Sequence, residues 1–251
     1  MISLIVCSYN REKYIYEALS RIAKNDYPTE DYEIVMVNNN STDNTANECK
    51  RFAKDYPQAP YHYFMETKQG LSHARNRGID EAKGDIIVFL DDDSMVEPDY
   101  LKELDKAMKA HSDAMAYGGK ITPRFENGET PKWICKWTYS WVSAIDMGNE
   151  VKLFERNAFP IGANMGFRKE CLDKVGKFNP DLGRSKKNLM GGEEKDIFNR
   201  VKAEGMKIYY FPTIALHHVI PPSRTTPEYI KRMGYGVGLS ELMRCKSLGK
   251  K

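Results

Sequence analysis

Three consecutive aspartates, Asp91, Asp92 and Asp93, are the first residues of this sequence whose types and spacing could do chemistry. They directly follow an apolar run over residues 86–90. Adjacent carboxylates repel one another unless water surrounds them or a cation neutralises them. A hard divalent cation binds carboxylate oxygens and keeps positions for phosphate oxygens, so this group could hold a metal ion beside a diphosphate. The alternative is that Asp93 or Ser94 caps the next helix.

A second acidic group, Glu193, Glu194 and Asp196, follows the glycine pair Gly191 and Gly192 at the start of a predicted helix. The helix dipole favours acids in a first turn, which is one explanation for the group. A carboxylate fixed on a helix could also remove a proton from an incoming hydroxyl. The glycines would let backbone and substrate approach closely. Both interpretations stay open on the residues alone.

Basic and imidazole side chains supply further candidates. Lys68, Arg75 and Arg77 could bind the phosphates of an anionic ligand, or could form a solvated basic surface. His218, which follows His217 near the end of an apolar run, could be a metal ligand or a hydrogen-bonded structural residue. The chain has no Cys or His partner at the spacing that a zinc site requires.

Composition excludes several classes of protein. The chain of 251 residues is 41% hydrophobic and 29% charged, which is typical of a folded globular protein. Its formal net charge of +3 does not suggest a general nucleic-acid binder. Its five cysteines include no Cys-x-x-Cys pair, which argues against a disulfide framework. No apolar run of about 18 residues predicts a transmembrane helix, and no signal peptide is evident, so we expect a cytoplasmic protein.

The elements that must position these side chains alternate between strand and helix. Apolar runs and helical periodicity predict strands over 3–7, 33–37, 61–65 and 86–90, and helices over 11–24, 44–54, 70–82 and 98–111. This alternation predicts an α/β fold with a mostly parallel central sheet flanked by helices. Ligands of such sheets bind beyond the carboxyl ends of the strands. Residues 8–11, 38–43 and 91–93 would meet there.

The second half of the chain departs from this alternation. Residues from about 121 to 159 are irregular and contain the aromatic side chains Trp137 and Trp141. These two could form an aromatic platform for a ligand, or could pack in a small hydrophobic cluster. Beyond them we predict helices over 169–175 and 193–204, a loop over 180–192, and short strands over 207–211 and 214–216. One domain with a long inserted loop fits this pattern.

Seven motifs follow one another along the chain: IVCSYNR at 5–11, VNNNSTDNT at 37–45, GLSHARNRG at 70–78, FLDDD at 89–93, GANMGFR at 162–168, GEE at 192–194, and a closing stretch from His218 to Arg224. In this order they resemble the motifs of the family 2 glycosyltransferases, inverting enzymes of the GT-A fold. The resemblance covers about residues 2–240. It implies one catalytic domain over 1–220, with a nucleotide-binding half over about 1–115 and an acceptor-side half over about 116–220.

The resemblance also implies roles for individual residues. The donor site would comprise Ser8, Tyr9, Asn10, Arg11, Asn38, Asn39, Arg75, Asp91 and Asp92, with Lys68 as a further candidate. Asp93 would bind Mn²⁺ or Mg²⁺, with Asp91 and His218 as further candidate ligands. Glu194 would be the catalytic base, with Glu193 on the acceptor and Asp196 as an alternative base. The acceptor site would comprise Gly162, Asn164 and Met165, with Trp137 and Trp141 as the candidate platform.

Two departures from the family pattern bear on these roles. Asn38 stands where many relatives carry an aspartate, which weakens the case for a UDP-sugar donor and leaves GDP- and dTDP-sugars open. Glu194 replaces the usual aspartate and is longer by one methylene. The expected acceptor is a polysaccharide, glycolipid or glycoprotein of the cell envelope. A catalytically inactive binding module and a sugar nucleotidyltransferase are the alternatives.

The basic C-terminal segment is the last feature of the sequence. Residues 221–251 contain seven lysines and arginines against two glutamates, so the rest of the chain is slightly acidic. Apolar residues in this segment suggest a helical extension, although Gly234, Gly236 and Gly238 disfavour a helix. Such an extension could contact an anionic membrane surface, where lipid-linked acceptors reside, or could pack on the domain. The first alternative predicts peripheral contact with the inner face of a membrane.

Overall fold

A computed structural model of the chain describes residues 1–135, 137–183 and 192–247. Gly191 and most of the predicted loop over 180–192 lie outside the described residues, as do the last four residues of the basic segment. The strands are β1 (Ile2–Ser8), β2 (Tyr32–Asn38), β3 (Tyr61–Met65), β4 (Ile86–Asp91), β5 (Ser94–Val96), β6 (Ala114–Phe125), β7 (Lys152–Leu153), β8 (Asn164–Arg168) and β9 (Lys207–Ile220). The helices are α1 (Ile15–Ala23), α2 (Thr45–Asp55), α3 (Leu71–Glu81), α4 (Tyr100–Ala110), α5 (Lys169–Val175), α6 (Glu193–Ala203) and α7 (Pro227–Ser247).

The strands form one sheet in the order β3-β2-β1-β4-β8-β6-β9-β5, with β7 on β9. The first four strands in this order are parallel, as the strand–helix alternation predicts. In the other half, β8 runs antiparallel to both β4 and β6, although β6 and β9 are parallel. The predicted α/β fold is therefore confirmed, but the sheet is purely parallel only from β3 to β4 and is mixed beyond β4.

Register brings the predicted ligand loops to one edge of the sheet. Ser8 at the end of β1 pairs with Asn38 at the end of β2, and Cys7 pairs with Asp91 at the end of β4. Because these three strands are parallel, their carboxyl ends and the residues that follow them lie side by side. The predicted convergence of residues 8–11, 38–43 and 91–93 is thus present.

The C-terminal strand brings His218 to the same edge. The predicted strands over 207–211 and 214–216 are one long strand, β9, whose pairing with β6 is irregular between Gly119 and Lys120. The short strand β5, which the sequence did not predict, pairs antiparallel with β9 so that Ser94 faces His218. Asp93 immediately precedes β5, so it lies beside His218 rather than capping a helix.

Helices cover both faces of the sheet, which explains why the parallel strands are apolar along their whole length. Leu4 and Val6 of β1 belong to a core shared with α1, α2 and α4, whereas Ile5 points to a core shared with α3, α5 and α6. Helix α3 approaches β1 very closely: a Cβ atom on Gly78 would lie closer than 3 Å to the Ile5 side chain. This close approach sets the position of Arg75, one turn earlier on the same helix.

Candidate functional site

A cavity of about 320 Å³ opens at the carboxyl ends of β1 and β4. Its lining includes six residues of the predicted donor site: Ser8, Tyr9, Arg11, Asn39, Asp91 and Asp92. The other lining residues are Cys7, Gln69, Leu71, Ala74, Asp93 and Arg224. The position agrees with the rule that ligands of α/β sheets bind beyond the carboxyl ends of the strands.

Asp91, Asp93 and His218 offer ligand atoms that all lie within 4.8 Å of one another. The Nε2 atom of His218 is 2.8 Å from Asp93 Oδ1 and 4.0 Å from Asp91 Oδ2. Asp93 Oδ2 is buried and has no hydrogen-bond partner among the described residues. Two carboxylates and an imidazole, with one carboxylate oxygen unsatisfied, fit a divalent ion such as Mn²⁺.

His218 is held in the orientation that a metal ligand needs. Its Nδ1 lies 3.3 Å from the carbonyl oxygen of Val142, which can only accept a hydrogen bond, so Nδ1 carries a proton. The Nε2 atom therefore faces the two carboxylates. Burial would lower the pKa of His218, but the charges of Asp93 and Asp91 and the hydrogen bond to Asp93 together outweigh burial and raise it. Asp93 and Asp91 therefore favour protonation of His218.

Two arginines, Arg11 and Arg224, form ion pairs with Asp92 and Asp93. Arg11 Nε is 3.2 Å from Asp92 Oδ1, and guanidinium nitrogens of Arg11 and Arg224 lie 3.6 Å and 3.5 Å from Asp93 Oδ2. Burial raises the pKa of Asp92 to about 7 despite the Arg11 charge. Burial acts in the same direction on Asp93, but His218, Arg224 and Arg11 hold the pKa of that carboxyl well below its usual range. Arg224 is a site residue to which the sequence assigned no role, and its only signal was its position in the closing motif.

The loops after β1 and β2 hold each other in place. Asn10 has a left-handed backbone with φ of 54°, and its side-chain oxygen accepts a hydrogen bond from the Thr42 N–H at 2.8 Å. The Arg11 N–H donates to the hydroxyl of Thr45 at 2.9 Å, and that hydroxyl donates to Asp43. Asn10 is thus a bridge between the two loops, which fixes the backbone from which Arg11 reaches the cavity.

The side chains of Asn38 and Asn39, two predicted donor ligands, form hydrogen bonds within the protein. Asn38 is fully buried, donates to the Tyr63 hydroxyl at 2.9 Å and accepts from the Ser41 N–H at 2.9 Å. Both groups of its amide are thus engaged within the protein, and the predicted contact with a nucleobase stays a prediction. Asn39 lines the cavity, but its side chain bonds to the backbone at Glu66, Lys68 and Gly70. Lys68 itself is exposed and does not line the cavity.

Arg75 lies between the two candidate acceptor-side acids. Its Nη1 is 3.0 Å from Glu193 Oε1 and its Nη2 is 3.1 Å from Glu194 Oε1. Arg75 and Glu193 are buried, whereas the Glu194 side chain is 30% exposed. Asp196 pairs with Arg200 at 2.9 Å on its own helix. The structure therefore brings Arg75 to the acids, and Arg75 is not among the residues that line the cavity. Its predicted role as a donor ligand stays a prediction.

The predicted acceptor residues divide into exposed and buried groups. Trp137 and Trp141 are 78% and 42% exposed. Asn164 and Met165 are fully buried in β8, and Asn164 bonds to the Tyr100 hydroxyl and to two backbone carbonyls. The predicted acceptor contact of these two residues stays a prediction. Gly162 adjoins the acid pair: a Cβ atom there would lie closer than 3 Å to both Glu194 Oε1 and Arg75 Nη2.

Comparison with known proteins identifies similar chains. Residues 3–176 match the family model described as Glycosyl transferase family 2. The chain is 32% identical over 247 residues to the dolichyl N-acetyl-alpha-D-glucosaminyl phosphate 3-beta-D-2,3-diacetamido-2,3-dideoxy-beta-D-glucuronosyltransferase of Methanococcus voltae, covering 97% of this chain and 74% of that protein. It is 24% identical over 246 residues to the glucosyl-dolichyl phosphate glucuronosyltransferase of Haloferax volcanii, covering 96% of this chain and 76% of that protein.

Solved structures share the fold. The mannosyltransferase PcManGT from Pyrobaculum calidifontis, in complex with GDP-Man and Mn²⁺, superposes with a TM-score of 0.68 at 23% identity. The match covers 88% of this chain and 57% of that chain. S. aureus TarS 1–349 in complex with UDP-GlcNAc superposes with a TM-score of 0.65 at 19% identity, covering 92% of this chain and 60% of that chain. The present chain thus spans under two thirds of these solved chains.

Proposed function

The chain belongs to glycosyl transferase family 2, and on that premise we propose that it transfers a sugar from a nucleotide-diphosphate sugar to an acceptor hydroxyl. The observation that carries the proposal is the meeting of Asp91, Asp93 and two arginines at one cavity beyond the parallel strands, with His218 beside the two aspartates. In this proposal residues 1–115 bind the nucleotide, 116–220 hold the acceptor, and the basic segment 221–251 is an extension.

The cavity suits the leaving diphosphate. Asp91, Asp93 and His218 would hold Mn²⁺ or Mg²⁺, which would neutralise charge on the diphosphate as it leaves. Arg11 and Arg224 line the same cavity and offer guanidinium groups to phosphate oxygens. Asp92, buried beside Arg11, would accept a hydrogen bond from the donor ribose. The cations of the chain would therefore stabilise the negative charge that develops during transfer.

Glu194 is the proposed base. Its carboxylate takes the proton of the acceptor hydroxyl, whose oxygen forms a bond to the anomeric carbon of the sugar. The bond from that carbon to the diphosphate breaks in the same displacement, so the configuration inverts. Glu193, buried beside Glu194, binds the acceptor. We expect Glu194→Gln to keep nucleotide binding and to stop transfer, because the amide cannot accept the proton. Full turnover in this variant would refute the assignment of the base.

A thermal-shift screen tests the donor site. Ligands that bind only the folded state raise the midpoint of unfolding. We expect a UDP-, GDP- or dTDP-sugar to raise it in the presence of Mn²⁺ and to raise it less with EDTA. A UDP-sugar is the donor we favour, although the Asn38 amide is hydrogen-bonded to Tyr63 and Ser41 in this structure. If no nucleotide sugar raises the midpoint of unfolding with Mn²⁺ or with Mg²⁺, the proposed donor site is wrong.

A lipid-linked saccharide is the proposed acceptor. The relatives of Methanococcus and Haloferax are, by name, glucuronosyltransferases that act on dolichyl phosphate-linked sugars. Exposed Trp137 and Trp141 offer apolar surface for sugar rings or for the lipid. The product would then be used in the assembly of a cell-envelope glycan.

We also propose that α7 contacts an anionic membrane surface from the cytoplasmic side. None of the described helices is long and apolar enough to cross a membrane. Met233, Gly236 and Ser240 face the protein, while Tyr235 and Leu242 are 76% and 51% exposed on the opposite side. Exposed Lys231 and Lys246 flank these two residues along the same stripe. Aromatic and aliphatic side chains between lysines fit the interface of an anionic bilayer.

Co-sedimentation with phosphatidylglycerol vesicles tests this contact. The double variant Lys231→Glu/Lys246→Glu should pellet less than the wild type, because it reverses charge where the lipid would lie. Lys106→Glu/Lys109→Glu, on α4, is the matched control because it makes the same charge change on exposed side chains away from α7. Equal pelleting of the two double variants would reject the membrane contact at α7.

A further inference from the structure

Arg75 is the one arginine of the predicted donor site whose guanidinium is turned toward the acids rather than toward the cavity. We propose that Arg75 is a positioning residue that holds the carboxylate of Glu194 for proton transfer, and that it does not bind the donor diphosphate. This proposal rests on the proposed role of Glu194 as the base.

The two terminal nitrogens of Arg75 each bind a different carboxylate. Nη1 binds Glu193 and Nη2 binds Glu194, and the side chain of Arg75 is only 3% exposed. Because this guanidinium is buried and is not among the residues that line the cavity, a diphosphate would have to displace neighbouring side chains to reach it. Arg11 and Arg224 already line the cavity and require no such displacement.

Aromatic rings hold the guanidinium in its plane. The central carbon of Arg75 lies 5.3 Å from the ring centroid of Phe178 and 6.0 Å from that of Phe89. Arginine presents its donors in a rigid planar fork, whereas lysine is a single point charge on a flexible stem. Only the fork can bind both carboxylates while it packs against these rings. The site thus requires an arginine, not just a positive charge.

The contact with Arg75 leaves part of Glu194 free for the acceptor. The bond uses Oε1 of Glu194, and 30% of the side chain remains exposed. Fixing one oxygen limits the rotamers of the side chain and so directs the other oxygen. A displacement of about 1 Å in a reacting group costs roughly 100-fold in rate. Without Arg75 the glutamate would lose this restraint.

Gly162 is the third part of the arrangement. A Cβ atom at this position would approach Glu194 Oε1 and Arg75 Nη2 more closely than 3 Å, so a side chain would separate the pair. We infer that position 162 must lack a side chain because the ion pair occupies that space. A glycine in this acceptor-side motif is then needed to leave room for the base Glu194, and not for a direct contact with the sugar.

Helix α3 joins the two halves of the site through this residue. Leu71 and Ala74 of α3 line the donor cavity, while Arg75, the next residue, points to the acids on α6. The nucleotide-binding half therefore supplies Arg75, and the acceptor-side half supplies the base Glu194. Arg75 fixes the base relative to the donor.

Four variants test the proposal: Arg75→Lys, Gly162→Ala, Glu194→Gln and Gly234→Ala. Gly162→Ala keeps every charge and separates only the pair, so it serves if Arg75→Lys fails to fold. Gly234→Ala is the matched control, because a Cβ atom there meets nothing within 4 Å. Binding of UDP and GDP with Mn²⁺ is measured by calorimetry, and turnover is measured as nucleoside diphosphate release at saturating nucleotide sugar.

We expect kcat to fall about 100-fold in Arg75→Lys and Gly162→Ala, while nucleotide Kd and donor KM stay within about twofold of the wild type. Carbodiimide coupling of glycinamide, mapped by mass spectrometry, reports on Glu194 without turnover, and it should be faster in both variants. A tenfold weaker nucleotide affinity in Arg75→Lys would make Arg75 a diphosphate ligand and overturn the proposal. Wild-type kcat or unchanged coupling in Gly162→Ala would also overturn it.

Glu194→Gln separates this proposal from the assignment of the base. If Glu194→Gln turns over like the wild type, the base is wrong, whatever Arg75 does. If Glu194→Gln is inactive while Gly162→Ala is fully active, the base stands and only the positioning role fails.

Discussion

Asp93→Asn is the substitution that most directly tests the electrostatics of the cavity. Asp93 is buried and lies within ion-pair distance of His218, Arg224 and Arg11. Asparagine has the same shape but no charge, so the substitution removes the common partner of three cations and leaves the packing in place. The two properties it should change are the free energy of unfolding and the response to Mn²⁺.

Burial sets the size of the expected loss of stability. Removing one partner of a buried ion pair costs about 3–5 kcal/mol, because the remaining charge is left without compensation. Relief of repulsion with Asp91 and Asp92 offsets part of this cost, so we expect about 3 kcal/mol. For a protein of this size 1 kcal/mol shifts Tm by about 2–4 °C, which gives a decrease of roughly 6–12 °C.

The assay is thermal unfolding with EDTA and then with Mn²⁺ and the nucleotide that the wild type binds. Saturation at about 100 times Kd stabilises the folded state by about 2.7 kcal/mol, so the wild-type midpoint should rise by roughly 5–11 °C. In Asp93→Asn most of this rise should disappear, because a neutral amide is a poor ligand for the ion. The matched control is Asp113→Asn, which removes an exposed pair with Lys207 and should leave both quantities almost unchanged.

Two results would refute this reasoning. If Asp93→Asn unfolds at the same temperature as Asp113→Asn in EDTA, the three cations do not depend on the Asp93 charge. If Asp93→Asn keeps the full Mn²⁺-dependent rise, Asp93 is not a ligand of the ion. The two halves of the experiment are independent, since the first needs no ligand and the second compares each protein with itself.

Three further predictions concern other parts of the chain. Asn164→Ala should lower the free energy of unfolding by about 2–4 kcal/mol and leave nucleotide Kd unchanged, because the Tyr100 hydroxyl and two backbone carbonyls in the core lose their hydrogen-bond partner. An effect on acceptor KM alone would contradict this prediction. Trp137→Ala and Trp141→Ala should raise acceptor KM and spare nucleotide binding, and unchanged acceptor kinetics in both would remove the platform. Burial raises the pKa of the Cys7 thiol from 9.0 to about 12, so iodoacetamide at pH 8 should label it roughly 1,000-fold more slowly than an ordinary thiol, as peptide mapping would show.

The site shows how one cation can be replaced by another. In the described structure Asp93 is paired with His218, Arg11 and Arg224, which are the groups that would surround a metal-bound diphosphate. A divalent ion would take over the role of neutralising Asp93. The two arginines could then turn to the phosphates. The positive charges of Arg11 and Arg224 make three adjacent aspartates tolerable, because they offset the repulsion between the carboxylates.

Much of the fold could be predicted because its signals are local. The apolar runs that became β1, β2, β3 and β4 and the amphipathic helices between them are set by neighbouring residues, and their bounds differ from the predicted ones by a few residues. The strand β5 was missed because three residues after an acidic run carry no periodicity. The single long strand β9 was divided because Pro212 and Thr213 interrupt its apolar pattern.

The sequence by itself determined the family, the α/β alternation and the acids at the end of β4, because motifs and periodicity lie in the order of the chain. Only the tertiary structure decided which side chains meet. It buried the Asn38 amide against Tyr63 and Ser41, placed His218 beside Asp93 through the pairing of β5 with β9, and directed Arg75 to Glu193 and Glu194. The physical reason is that a hydrogen bond or ion pair depends on register and packing between elements, and residues 118 or 125 positions apart carry no local sign of their contact.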